Sequence, residues 1–243
     1  MRNYATAQLI GGRKEQCDAT AVYTAPTGAR AYVLLDGIGS TPSVRAWTRE
    51  AAARLARTAA RHGDAEAGLR AVYARLRAER EDADPYARDY LPKACAVVAV
   101  TAPGKPLTVA WCGDARAYVL ARGAARRLTN DHNLRRVYPP CDWHSGGSRN
   151  RVTSCLGSSL TDEETQAASG HPAIETVTVP AENCRLLLAS DGAYEPIEDN
   201  GANVATYLVG DPRETARDLV DTAVAWGGTR PDNATALVAD LRP

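Results

Sequence analysis

Four aspartates stand where apolar runs stop. Arg30 to Ser40 holds an apolar strand that ends abruptly in Asp36-Gly37, and Arg185 to Gly192 repeats the form, ending in Asp191-Gly192. Asp114 follows the run Leu107 to Gly113, and Asp232 precedes the closing stretch Ala234 to Leu241. A carboxylate taken out of water at a strand end is costly unless it is paired, hydrogen-bonded or held by a cation. Acids from distant parts of the chain, gathered at one strand-end register, suit hard divalent cations, which take oxygen ligands. Each Asp-Gly by itself also reads as a turn closed by an Asx hydrogen bond.

The elements that must position these acids follow from punctuation and period. Tyr4 to Ile10, Thr20 to Thr24 and Ala31 to Leu35 read as strands, broken by Gly11-Gly12 and Pro26-Thr27-Gly28. From Ser43 to about His62 the apolar positions Val44, Trp47, Ala51 and Leu55 recur at helical spacing, and Ala65 to Arg80 offers Leu69, Val72 and Leu76. Trp47 on that face is expected in the core. Ala94 to Thr101, Leu107 to Cys112, Ala117 to Ala121, Ile174 to Val179 and Cys184 to Ala189 are further strands, with Arg122-Gly123 a hairpin tip. Asp211-Pro212 opens a last helix, with Asp211 as cap and Glu214 reaching back. Asn130 to Arg151, rich in Gly, Pro, Asn and His, has no clear period and predicts a functional loop or flap.

Strict strand-helix-strand alternation is missing, which argues for antiparallel sheets with helices on their outer faces, an α+β class. With neither repeat nor linker, 1–243 is expected to form one domain with a compact flap at about 130–150.

Composition narrows the function classes. Lys plus Arg (29) equals Asp plus Glu (29), so no global field favours nucleic acid or an anionic membrane. Basic pairs such as Arg126-Arg127 and Arg135-Arg136 are short enough to be solvated surface. No apolar run approaches the roughly 20 residues that span a bilayer, and Met1 to Tyr4 starts no signal segment, so a cytoplasmic protein is expected. Cys17, Cys95, Cys112, Cys141, Cys155 and Cys184 form no C-x-x-C pair and are expected as free thiols.

Seven short strings then occur in a telling order: Arg13 to Asp18, Asp36 to Gly39, Cys112 to Arg116, Leu128 to His132, Asn150 to Gly157, Ser190 to Gly192, and Asp232-Asn233. In order and rough spacing the chain resembles the PP2C-like (PPM) metal-dependent protein serine/threonine phosphatases of bacterial type, over nearly its whole length. The resemblance implies a four-layer α-β-β-α sandwich with a metal cluster at one edge between two antiparallel sheets. It implies that Asp36 bridges two Mn2+ or Mg2+ ions, with the Gly37 carbonyl completing one coordination sphere. Asp191 and Asp232 would hold the first ion, and Asp18 would support the second, largely through water. Asp114, with Asp191, would help hold a third, weaker ion. Arg13 matches the arginine that pairs with substrate phosphate, so Arg13, Asp36 and Asp191 are the implied catalytic residues.

Elementary chemistry supports these residue types. Phosphomonoester hydrolysis is extremely slow in water, and a catalyst must supply both a nucleophile and charge compensation. Two cations about 3.5–4 Å apart can lower the pKa of a bridging water and stabilise in-line attack. An arginine fork donates two parallel charge-assisted hydrogen bonds to phosphate. A surface charge is the alternative to the phosphate role preferred for Arg13, whereas a structural connector is the preferred reading of His132.

The chain departs from the family pattern at Cys17, where Glu or Gln is usual, and at Ile38, where His or Met is usual. Lys93-Ala94-Cys95 stands for Gly-Thr-Thr, and Ala115 for Ser. The segment Cys141-Asp142-Trp143-His144 makes the substrate-facing flap unusual. The leading expectation is a monomeric hydrolase of phosphoserine and phosphothreonine in proteins. The alternatives are a weak or inactive relative that binds a phosphorylated partner, and a small-molecule phosphatase with the same metals.

Overall fold

Alternation along single strands dictates the layers. In β3 (Arg30–Gly37), Tyr32 and Leu34 face one side while Ala31, Val33 and Leu35 face the other, and all five are buried. A strand apolar on both faces has to be covered on both. The computed structural model describes residues 3–180 and 183–242 and supplies both covers.

In chain order the elements are β1 (Tyr4–Leu9), β2 (Ala19–Thr24), β3, α1 (Pro42–His62), α2 (Ala65–Glu81), α3 (Pro85–Arg88), β4 (Ala94–Thr101), β5 (Leu107–Cys112) and β6 (Arg116–Ala121). Then come β7 (Ala124–Arg127), α4 (Leu134–Val137), α5 (Asp162–Ser169), β8 (Glu175–Val179), β9 (Cys184–Ala189), α6 (Asp191–Asp199), a 3-10 turn at Val204–Leu208, α7 (Pro212–Trp226) and β10 (Ala234–Leu241). One sheet runs β1-β10-β9-β6-β7 and the other β2-β3-β4-β5-β8, and the strand pairs are antiparallel.

The sheets pack face to face through Tyr32, Leu34, Val97, Val109, Leu186, Leu188 and Leu237. Helices α1 and α2 cover the outer face of the second sheet through Ala51, Leu55, Leu69, Val72 and Leu76. Helices α6 and α7 cover the outer face of the first through Tyr194, Ile197, Leu219, Val220 and Ala223. The result is the expected α-β-β-α sandwich. Trp47 is partly buried against the α1 side of the core.

Local signals start and stop the helices, and of the caps below, the sequence points to Asp211. Thr41 caps α1 by accepting from the Val44 amide, and Gly63 ends it at φ 63°. Asp64 caps α2, and Asp211 caps α7 by accepting from the Arg213 and Glu214 amides. Four helices, α3 to α6, had no counterpart in the sequence reading; α3 and α4 are single turns in stretches read as a polar break and a loop. In α5 only Thr165 is buried, so no apolar stripe announces it, although Thr161 and Glu164 form a capping box. The Asp191-Gly192 pair opens α6, where an isolated Asp-Gly suggests only a turn.

The six cysteines are free thiols. Among the described residues no helix is long and apolar enough to cross a membrane. The segment after Asn133 holds the short α4 and then turns, with Tyr138 and Trp143 exposed. Its base is tied to β8 by Arg136, which donates to Glu175 at 2.6 and 2.9 Å, and its far end to α6 by Arg149, which donates to Asp199 at 2.7 and 2.5 Å.

Candidate active site

Strand register sends Asp36 toward the gap between the sheets. It continues the inner face of Tyr32 and Leu34, opposite Cys95 on β4. By the same alternation Ser190 and Thr235, at the ends of β9 and β10, follow Leu188 and Leu237 onto the inner face, and both are fully buried. Their hydroxyls lie near the Asp18 carboxyl and favour its charged form, and that carboxyl lies 3% exposed just before β2. Asp114 sits buried in the turn from β5 to β6, where the Tyr194 hydroxyl donates to its carbonyl at 3.0 Å. Asp191 is the first residue of α6, and Asp232 lies in the loop entering β10.

These carboxyls feel one another. Desolvation first, then the negative charge of Asp191 and Asp232, pushes Asp18 up to about 8. Desolvation and Asp191 push Asp114 up to about 7. Asp36 is raised well above the carboxylate range by burial and then by Asp191, Asp18, Asp114 and Asp232. Asp191 is raised by burial and Asp232, with partial relief from a hydrogen bond to Asp36. The structure therefore brings Asp18, Asp36, Asp114, Asp191 and Asp232 to one cleft.

Close backbone approach explains the glycines beside two of these acids. A Cβ at Gly37 would lie 2.5 Å from the Cys17 carbonyl and 2.7 Å from Thr48 Oγ1. At Gly192 it would lie 2.2 Å from the Asn233 carbonyl. Any side chain there would push the loops carrying Asp18 and Asp232 away from Asp36 and Asp191.

Arg13 reaches the same cleft, and its guanidinium pairs with Asp232 Oδ2. Asp232 Oδ1 accepts from the Asn233 amide at 2.7 Å, and Asp191 Oδ1 from the Gly192 amide at 2.6 Å. With these oxygens engaged, no group of three or more His, Cys, Asp or Glu side chains among the described residues stands in ready ligand geometry. The donor set nevertheless fits a hard cation. Every candidate ligand is an oxygen, and Asp18 Oδ2 is buried with no hydrogen-bond partner, which is a costly state for a carboxyl that nothing binds.

Two contributors escaped the sequence reading. Asn233 accepts from the Cys17 amide at 2.8 Å and donates to the Ile10 carbonyl at 2.8 Å, stapling the Arg13 to Asp18 loop to β10. Glu195 is pushed up to about 8 by desolvation and then by Asp191, while Arg149 pairs with it at 3.1 Å. Its signal was available, since it lies four residues after Asp191 and so on the same helical face. His132 is fully buried, with Nε2 2.9 Å from Glu175 and the Gly113 amide donating to Nδ1 at 3.4 Å. That is the connector role expected of it. Arg116 braces the neighbourhood, binding Asp131 at 2.7 and 2.8 Å and stacking 3.7 Å over the Tyr194 ring.

A family model for Protein phosphatase 2C matches residues 42–137. The chain is 30% identical over 163 residues to a probable protein phosphatase 2C 17 of Arabidopsis thaliana, covering 60% of this chain and 55% of that protein. It is 30% identical over 143 residues to protein phosphatase 2C homolog 1 of Saccharomyces cerevisiae, covering 56% and 50%. The chain thus spans about half the length of the curated relatives it matches. Among solved structures, serine/threonine phosphatase Stp1 from Staphylococcus aureus superposes with a TM-score of 0.74 at 18% identity, covering 100% of this chain and 96% of that one. PppA of Pseudomonas aeruginosa superposes at 0.71 and 22% identity, covering 98% and 96%. Over residues 42–137 this chain is thus similar in sequence to the Protein phosphatase 2C family, and its fold is shared from end to end with the Stp1 and PppA structures.

Proposed function

We propose that the chain hydrolyses phosphoserine and phosphothreonine in proteins with the help of two Mn2+ or Mg2+ ions and a third, weaker one. The observation that carries this reading is the convergence of five aspartates, remote in sequence, on one cleft, where burial and mutual repulsion raise four of them. Such a cluster is stable in its ionised form only with cations. When bound, the ions supply an activated water and offset the charge of the phosphoryl group.

The protein's own residues divide the remaining work. Asp36 would serve both core ions and the Gly37 carbonyl one of them, Asp191 and Asp232 would hold the first, and Asp18 would support the second, largely through water. Asp114 and Asp191 would help hold the third, with Glu195 close enough to feel both charges. Arg13 binds substrate phosphate by exchanging its present partner, the Asp232 carboxylate, for phosphate oxygens. That exchange leaves Asp232 free to act as a ligand, so substrate and cation draw the same ion pair apart. The unit is one domain acting as a cytoplasmic monomer, with the segment at about 130–150 as its flap.

Turnover of p-nitrophenyl phosphate and of a phosphothreonine peptide, assayed with and without added Mn2+, tests the reading. Chelator-sensitive hydrolysis of the peptide is expected. Tight peptide binding without turnover would favour a phosphoprotein-binding relative instead.

A further inference from the structure

A cavity of about 510 Å3 opens beside Asp191 and Asp232. Ligand pockets of about 300–1,000 Å3 hold whole small molecules, so the space exceeds what a phosphoryl group fills. Its far wall is the turn after α7, from Trp226 to Arg230. The turn is anchored at its root, because the Gly12 amide donates to the Pro231 carbonyl at 2.7 Å, and Gly227 packs where a Cβ would lie 2.7 Å from that of Pro231.

Three arginines line the cavity along with Asp191, Glu195, Asp199 and Asp232, and the states of the arginines differ. Arg13 pairs with Asp232, and Arg149 with Asp199 and Glu195. Arg230 is exposed and has no ion-pair or hydrogen-bond partner among the described residues. Trp226, 43% exposed, adds an apolar face to the same wall. An uncompensated guanidinium next to an aromatic face complements an acidic side chain carried on a peptide.

Building on the phosphatase reading above, we propose that Trp226 and Arg230 form a subsite for an acidic residue flanking the phosphorylated one, so that the preferred substrate is an acidic phosphopeptide. The main chain of the peptide lies against Trp226, and the flanking carboxylate meets Arg230. Arg230 acts on selection among peptides, while the phosphate itself is met by Arg13.

The test uses two phosphothreonine peptides that differ only in carrying Glu or Lys on both sides of the phosphoresidue. Their kcat/KM values are compared, and their binding is measured separately, in chelator, by fluorescence polarisation. The wild-type chain is expected to favour the Glu peptide by about fivefold or more, mostly through KM, with the preference shrinking in high salt. Arg230→Ala is expected to erase the preference and Arg230→Glu to reverse it. Equal affinity of the wild-type chain for both peptides would overturn the proposal. So would an Arg230→Ala loss shared equally by both peptides and p-nitrophenyl phosphate, since that would make Arg230 a phosphate ligand. Failure of the wild-type chain to hydrolyse p-nitrophenyl phosphate would instead refute the phosphatase reading, and the binding comparison would still decide the subsite.

Discussion

Asp18→Asn should make the metal-free protein more stable at neutral pH, although it removes a residue of the active cleft. The Asp18 carboxyl, 3% exposed, titrates at about 8 against an ordinary 3.8. A raised carboxyl contributes stability that is fully present below the ordinary value and is lost as pH climbs toward the folded one. At pH 7 roughly three pH units of that window have been crossed, a penalty of at most about 4 kcal/mol. The true figure is smaller because the cluster shares its protons. Asparagine carries no such penalty, but it sets an amide group opposite a position with no hydrogen-bond partner, costing about 1–3 kcal/mol.

The net expectation is a gain of about 1–3 kcal/mol at pH 7, a melting temperature higher by roughly 2–10 °C. At pH 4, where Asp18 is neutral in the folded state and half neutral when unfolded, the gain disappears and only the cost of the amide remains. Thermal unfolding of both proteins in chelator at pH 4, 5.5 and 7 measures this. Excess Mn2+ should reverse the ranking at pH 7, because ligand binding stabilises wild type more. A variant destabilised by the same amount at every pH would show that Asp18 carries no electrostatic burden, and the reasoning about the cluster would fail.

Glu175→Gln tests the anchor of the segment that follows Asn133. Desolvation pushes the Glu175 carboxyl up, but hydrogen bonds from Arg136 and His132 outweigh it and hold the group at about 2. A depressed carboxyl stabilises above its ordinary 4.5 and loses that contribution as pH falls toward 2. The variant should lose about 2 kcal/mol at pH 7 and less than half of that near pH 3, read by urea unfolding; equal losses at both pH values would contradict the ion-pair account. Gly192→Ala should cost about 1–3 kcal/mol and weaken Mn2+ binding, since its Cβ would meet the Asn233 carbonyl at 2.2 Å. Wild-type stability and metal affinity in that variant would show the β10 entry loop to be free to move.

The sheets were legible because their strands are apolar, short and punctuated by Gly and Pro, and α1, α2 and α7 because each carries an apolar stripe and a cap. Helix α5 lacks the stripe, and α6 hides behind an Asp-Gly pair and a proline at Pro196. In the cleft, the five aspartates could be picked out by type and order. The staple made by Asn233 could not, because its partners Cys17 and Ile10 are 216 and 223 residues away and only strand order brings them together. The same holds for Arg13, whose present carboxylate partner lies 219 residues along the chain. Sequence reports residue types at a site well, and reports poorly which of them grip one another before a ligand arrives.

In the proposed mechanism, acids far apart in the chain jointly hold divalent ions. Isothermal titration of Mn2+ into the wild-type chain and into Asp191→Asn, with circular dichroism to confirm the fold, tests it most directly. Saturable binding by wild type is expected, with a loss of at least tenfold in affinity in the folded variant, because a neutral amide is a poorer ligand for a hard dication. Identical isotherms for the two proteins, or no Mn2+ binding by wild type, would contradict it.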